Sequence, residues 1–98
     1  SEAYYCRALN INIENLLAIK SLTELSYKTD SFESIYKYLK QYLEIHSSNV
    51  NMLFVMAGIQ FKKEKVEECL RTLDEVLSID PDHKLALDFK VSVLSVSV

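Results

Sequence analysis

Residues 50–83 read VNMLFVMAGIQFKKEKVEECLRTLDEVLSIDPDH. Two apolar rhythms run through this stretch. Leu53, Met56, Ala57 and Ile59–Gln60 recur at spacings of three and four, and so do Val66, Cys69, Leu70, Leu73, Val76 and Leu77. That period belongs to amphipathic helices rather than strands, and the polar residues between the two runs make a short turn. Asn49 stands where the first helix needs an N-cap. Pro81, in Ile-Asp-Pro-Asp, halts the second helix, because proline has no amide to continue it and its ring clashes backwards. A two- or three-residue turn makes the two helices antiparallel partners.

The rest of the chain falls into the same phase. Displaced by 34 residues, Leu9, Leu43 and Leu77 coincide, as do Ile11, Ile45 and Ile79. Ala8 meets Tyr42 and Val76, and Tyr5 meets Leu39 and Leu73. A fixed period of this length marks an array of helix–turn–helix units. Residues 16–49 form one unit and 50–83 the next. Residues 1–15 read as the second helix of a preceding unit, and 84–98 as the first helix of a following one, which implies neighbours beyond both ends. In residues 16–49 the helical residues are Ile19, Leu22, Leu25 and Ser26, then Phe32, Ile35, Leu39, Tyr42 and Leu43. The break between them is Thr29-Asp30-Ser31, where Asp30 followed by Glu33 reads as a capping pair for the second helix.

Composition narrows the function. One glycine and one proline in 98 residues argue for long helices and short loops. The formal charge of −3 disfavours a nucleic-acid platform, which needs a basic surplus. No uncharged stretch reaches the roughly eighteen residues of a membrane span. Cys6 and Cys69 have no Cys-x-x-Cys partner and read as small apolar residues of a reducing compartment such as the cytoplasm.

The pattern resembles the tetratricopeptide repeat (TPR) family across essentially the whole chain. The bulky, small and proline places of its unit fall on Leu53, Met56, Ala57, Cys69, Leu73, Val76 and Pro81. In the preceding unit they fall on Ile19, Leu22, Thr23, Ile35, Leu39 and Tyr42, with Ser47 where proline would be. The final segment offers Leu87 and Val91. The unit is divergent: Tyr27 and Phe61 sit one place late, and Asp30 and Glu64 replace the glycine usual between the helices. The resemblance implies an all-α fold of about six helices, a right-handed α-solenoid of antiparallel pairs, acting as a non-catalytic protein-interaction module.

It also implies where a partner binds. The first helix of each unit lines a concave face, which here carries Leu17, Lys20, Glu24, Tyr27 and Lys28, then Asn51, Phe54, Gly58, Phe61 and Lys62. The last helix adds Leu85, Asp88 and Ser92. Gly58, one turn beyond Phe54, leaves space beside the ring for an apolar side chain of a bound peptide. The competing reading of Tyr27, Phe61 and Phe54 is packing against the next unit, and Lys28 and Lys62 read equally as solvated lysines. Some members of the family clamp a C-terminal carboxylate. Lys20 suits that role, but Glu24 repels a carboxylate and Phe54 occupies the in-phase place, so no clamp is expected.

Nothing in the chain composes an active site. His46 and His83 lack ligand-spaced neighbours, so no metal is expected, and a single glycine makes no phosphate loop. Asp80, Asp82 and His83 read as a polar turn, and no cofactor is implied. The tail Val91-Ser-Val-Leu-Ser-Val-Ser-Val98 alternates like a strand, yet in this phase it belongs to the last helix. Its apolar face offers a route to self-association. The interaction module is expected to be part of a larger scaffold or adaptor, and two further functional readings stand beside it: a docking arm of an enzyme (a transferase, for example) whose catalytic domain lies elsewhere, and a self-assembly module working through its open helical ends.

Overall fold

A computed structural model describes residues 2–11 and 15–96. All regular structure among them is helical: α1 (Glu2–Ile11), α2 (Leu16–Thr29), α3 (Glu33–Ile45), α4 (Val50–Lys62), α5 (Val66–Ile79) and α6 (Lys84–Val96). The expected all-α class with six helices is the one adopted. α2, α4 and α6 begin at Leu16, Val50 and Lys84, and α1, α3 and α5 end at Ile11, Ile45 and Ile79, each series in steps of 34. The in-phase side chains of Ala8, Leu9 and Ile11, and the last two residues of the alternating tail, lie outside the described residues. The helices group into two units, Ser1–His46 and Ser47–Val98.

Local chemistry explains the repeated boundaries. Asn15 Oδ1 accepts from the Ala18 amide at 3.0 Å, and Asn49 Oδ1 from the Met52 amide at 3.2 Å. One period later His83 Nδ1 accepts from the Ala86 amide at 3.0 Å. Each satisfies an amide that the first turn leaves without an intrahelical partner. The cap expected at Asn49 is present, and His83 plays the same part with a ring nitrogen.

Asp30 requires a correction. It is not the N-cap of α3; that place belongs to Phe32, which makes no side-chain cap. Asp30 instead ends α2 with φ 55°, and Glu64, one period on, follows α4 with φ 61°. These are the only positive-φ residues described. Beyond α4 the Lys65 amide reaches the Gln60 carbonyl at 2.8 Å and the Glu64 amide reaches Phe61 at 3.0 Å. Beyond α2 the Ser31 amide reaches the Ser26 carbonyl at 3.2 Å. Such reversals close the last turn and need a left-handed residue, which is why related turns favour glycine.

In the first unit α2 and α3 bury Ala18, Ile19, Leu22, Ser26, Ile35, Tyr38, Leu39 and Tyr42, with Phe32 beneath the turn. α1 packs on both, and Ser34 Oγ donates to Glu2 Oε1 at 2.8 Å. Ser26 tolerates burial because its hydroxyl donates back to the Leu22 carbonyl at 2.8 Å.

In the second unit α5 packs against both α4 and α6. Leu53, Met56, Ala57 and Ile59 of α4 and Cys69, Leu73 and Val76 of α5 are buried, and Ala86 and Val93 are fully buried from α6. A buried polar bridge crosses α4 and α5: Thr72 Oγ1 lies 2.7 Å from Gln60 Oε1 and 2.9 Å from the Glu68 carbonyl. One hydroxyl proton serves two acceptors poorly. Turning the amide over lets Gln60 Nε2 donate to Thr72 Oγ1 while the hydroxyl donates to Glu68, so the one hydroxyl proton serves one acceptor. The alternating tail is helical through Val96, because helical spacing brings Ala86, Phe89, Lys90 and Val93 onto the face that meets the unit's core. Lys90 Nζ also pairs with Asp74 Oδ1 of α5 at 2.7 Å.

Candidate partner-binding surface

α2 carries the five expected contact residues of the first unit on one side. Leu17, Lys20, Glu24, Tyr27 and Lys28 follow helical spacing and all are exposed, with Leu17 74% accessible. Their opposite side, Ile19, Leu22 and Ser26, is buried, and that burial fixes the rotation of the helix. Tyr27 is anchored rather than loose. Its ring meets Phe32 edge-on at 5.1 Å between centroids, and partial burial pushes its phenol above the ordinary value. Beside the strip, between α1 and α2, lies a cleft of about 250 Å³ lined by Tyr4, Tyr5, Asn15, Leu17, Ala18 and Ser21.

The second unit presents a different surface. Asn51 and Lys62 are exposed at the ends of the α4 strip, while Phe54, Gly58 and Phe61 are half-buried. Phe89 of α6 accounts for that burial. Its ring lies edge-on to Phe54 at 6.1 Å and to Phe61 at 5.7 Å, the two rings that flank Gly58 along α4. The His83 ring lies 5.3 Å from Phe54. The space beside Gly58 is therefore bordered by an apolar side chain of the chain's own last helix. Leu85, Asp88 and Ser92 of α6 are exposed.

Three residues escape the sequence reading. Phe89 shares its phase with Ser21 and Val55, neither aromatic, so the period gives no sign of a ring there. His83 shares its phase with Asn15 and Asn49, and that match is the signal for its capping role. Tyr4 shares its phase with Tyr38 and Thr72, and its place beside the cleft follows from the period once α1 is recognised.

Exposed apolar side chains also occur away from the strip, among them Ile45, Ile79, Leu87, Val91 and Val96. Glu68, Arg71 and their neighbours on α5 line wide shallow depressions, and Lys65 Nζ approaches Glu68 Oε2 at 3.5 Å across an exposed turn. Among the described residues no group of histidine, cysteine and carboxylate side chains could hold a metal ion. No described helix is long and apolar enough to cross a membrane. Cys6 and Cys69 are free thiols, and burial pushes Cys69 up to about 11, which keeps it protonated and a poor nucleophile near neutrality.

No protein-family model matches the chain, and no curated protein resembles it at a significant level.

Proposed function

We propose that the chain is a TPR-like, non-catalytic interaction module that holds a peptide or protein segment along the first helices of its units. The exposed strip on α2 supports this reading most. Leu17, Lys20, Glu24, Tyr27 and Lys28 set a solvent-facing leucine and an anchored aromatic ring among two cations and one anion on a rigid helix. Apolar anchors inside a charged rim suit a segment that brings an apolar side chain to Leu17 and Tyr27 and an acidic side chain to Lys28. Burying one such side chain contributes about 1.5–3 kcal/mol, and a micromolar complex needs about 8 kcal/mol in all. The second unit, taken by itself, offers Asn51, Lys62 and Asp88 as its exposed contact residues, while its Phe54, Gly58 and Phe61 lie beside Phe89. Free thiols suit the cytoplasm or another reducing compartment.

The test is a peptide-library screen against the chain, followed by affinity measurement with Leu17→Ser and Lys28→Glu. Both residues are exposed, so the fold should survive. Each change is expected to weaken the selected peptide about tenfold, roughly 1.4 kcal/mol. Ligands whose affinity ignores both substitutions would refute the assignment.

A further inference from the structure

Three helix starts are capped one period apart, α2 by Asn15, α4 by Asn49 and α6 by His83. The two asparagines accept through an amide oxygen, which does not titrate. His83 accepts through Nδ1, 3.0 Å from the Ala86 amide, and a ring nitrogen accepts only while it is unprotonated. Histidine is the side chain that takes up a proton between about pH 8 and about pH 5, so of the three caps only that of α6 is open to titration.

His83 holds more than one amide. Its half-buried ring lies 5.3 Å from the Phe54 ring of α4, at 33° to it. Its backbone joins the turn to the helix: the amide donates to the Asp80 carbonyl at 3.1 Å, and the carbonyl accepts from the Leu87 amide at 3.0 Å. Phe89, on the second turn of α6, lies edge-on to Phe54 and Phe61. The start of α6 and the rings flanking Gly58 are therefore fastened together at His83.

We propose that His83 is an acid-released latch. Neutral, it ties the first turn of α6 to Phe54. Protonated, it lets that turn open and Phe89 leave Phe54 and Phe61, which uncovers the space beside Gly58.

The chemistry follows from the bond. A proton on Nδ1 sets a second donor against the Ala86 N–H, so the ring has to turn, which breaks the cap and takes the ring off Phe54. The new charge also stands at the positive end of the helix dipole, which disfavours it there. The other charged groups come from every element around the ring. α4 carries only Lys62, two turns beyond Phe54, and the end of α5 carries Asp74 and Glu75, of which Asp74 pairs with Lys90. The turn carries Asp80 and Asp82, and the start of α6 carries Lys84 and Asp88. All of these, and His46 in the first unit, stay in place when His83 alone is replaced, so a response lost with the ring belongs to the ring.

The test is residue-resolved amide hydrogen exchange on the unaltered chain, His83→Asn and His83→Ser, each rate corrected for its intrinsic pH dependence and helicity checked in each. Both replacements cap without titrating. Residues 52–56, capped by Asn49 one period earlier, are the internal reference for residues 86–90. In the unaltered chain the protection of 86–90 relative to 52–56 is expected to fall at least about threefold between about pH 7.5 and about pH 5.5, on the scale of a lost cap. In both variants that ratio is expected to stay level. A ratio that does not fall in the unaltered chain, or that falls as far in either variant, would overturn the latch. The measurement reads the second unit alone, so it fails separately from the α2 strip.

Discussion

Glu64 holds a left-handed backbone at φ 61°. For a non-glycine residue that conformation costs about 1–2 kcal/mol, offset in a glycine variant by the extra freedom of its unfolded chain. Glu64→Gly is expected to stabilise the protein by about 0.5–1 kcal/mol in urea denaturation. Asp30→Gly should gain less, since aspartate tolerates this region better. No gain in the Glu64 variant would mean the turn is not strained. Cys69 supplies a pH dependence. Its folded value is raised from about 9 to about 11, so both states hold the proton below pH 9 and the thiol adds no pH dependence there. As pH rises from about 9 towards 11 the unfolded state ionises first, and stability falls. Cys69→Ala should flatten that limb of a stability profile, and an unchanged limb would assign it to other groups.

At the scale of elements, periodicity alone located the helices, because each carries an apolar stripe that its neighbour buries. The turns were harder to read. Asp30 and Glu33 satisfy the spacing of a capping pair, yet a polar residue just past a helix is equally suited to a left-handed stop, and the backbone takes the stop. Asp30 and Glu64 replacing the usual glycine was the better clue. Over the described residues Val91–Val96, the strand-like alternation gave way to tertiary burial of Ala86 and Val93. The strip on α2 was legible because its opposite side is apolar, whereas Phe89 beside Gly58 was not, since contact between helices a period apart leaves no mark on either alone. The bridge between α4 and α5 offers a quantitative check. Thr72→Val strands the Gln60 amide and should cost about 1–3 kcal/mol. Gln60→Leu combined with Thr72→Val should recover most of it, because no buried polar group is then left unsatisfied. Additive losses in a double-mutant cycle would show that the two side chains do not pair.

For the whole molecule, a 34-residue step recurs in helix starts, helix ends, N-caps and left-handed stops. The helices that it spaces group into two units, each with its own core. The proposed function rests on what that step leaves facing solvent: first-helix sides that their partners do not cover. The most direct measurement is an amide chemical-shift map of the labelled chain titrated with the peptide that the screen selects. Shifts should concentrate at Leu17, Lys20, Glu24, Tyr27 and Lys28, with Gln41 of α3 and Glu75 and Ser78 of α5 unmoved. Perturbations centred on α3 or α5 with the α2 strip silent would contradict the account.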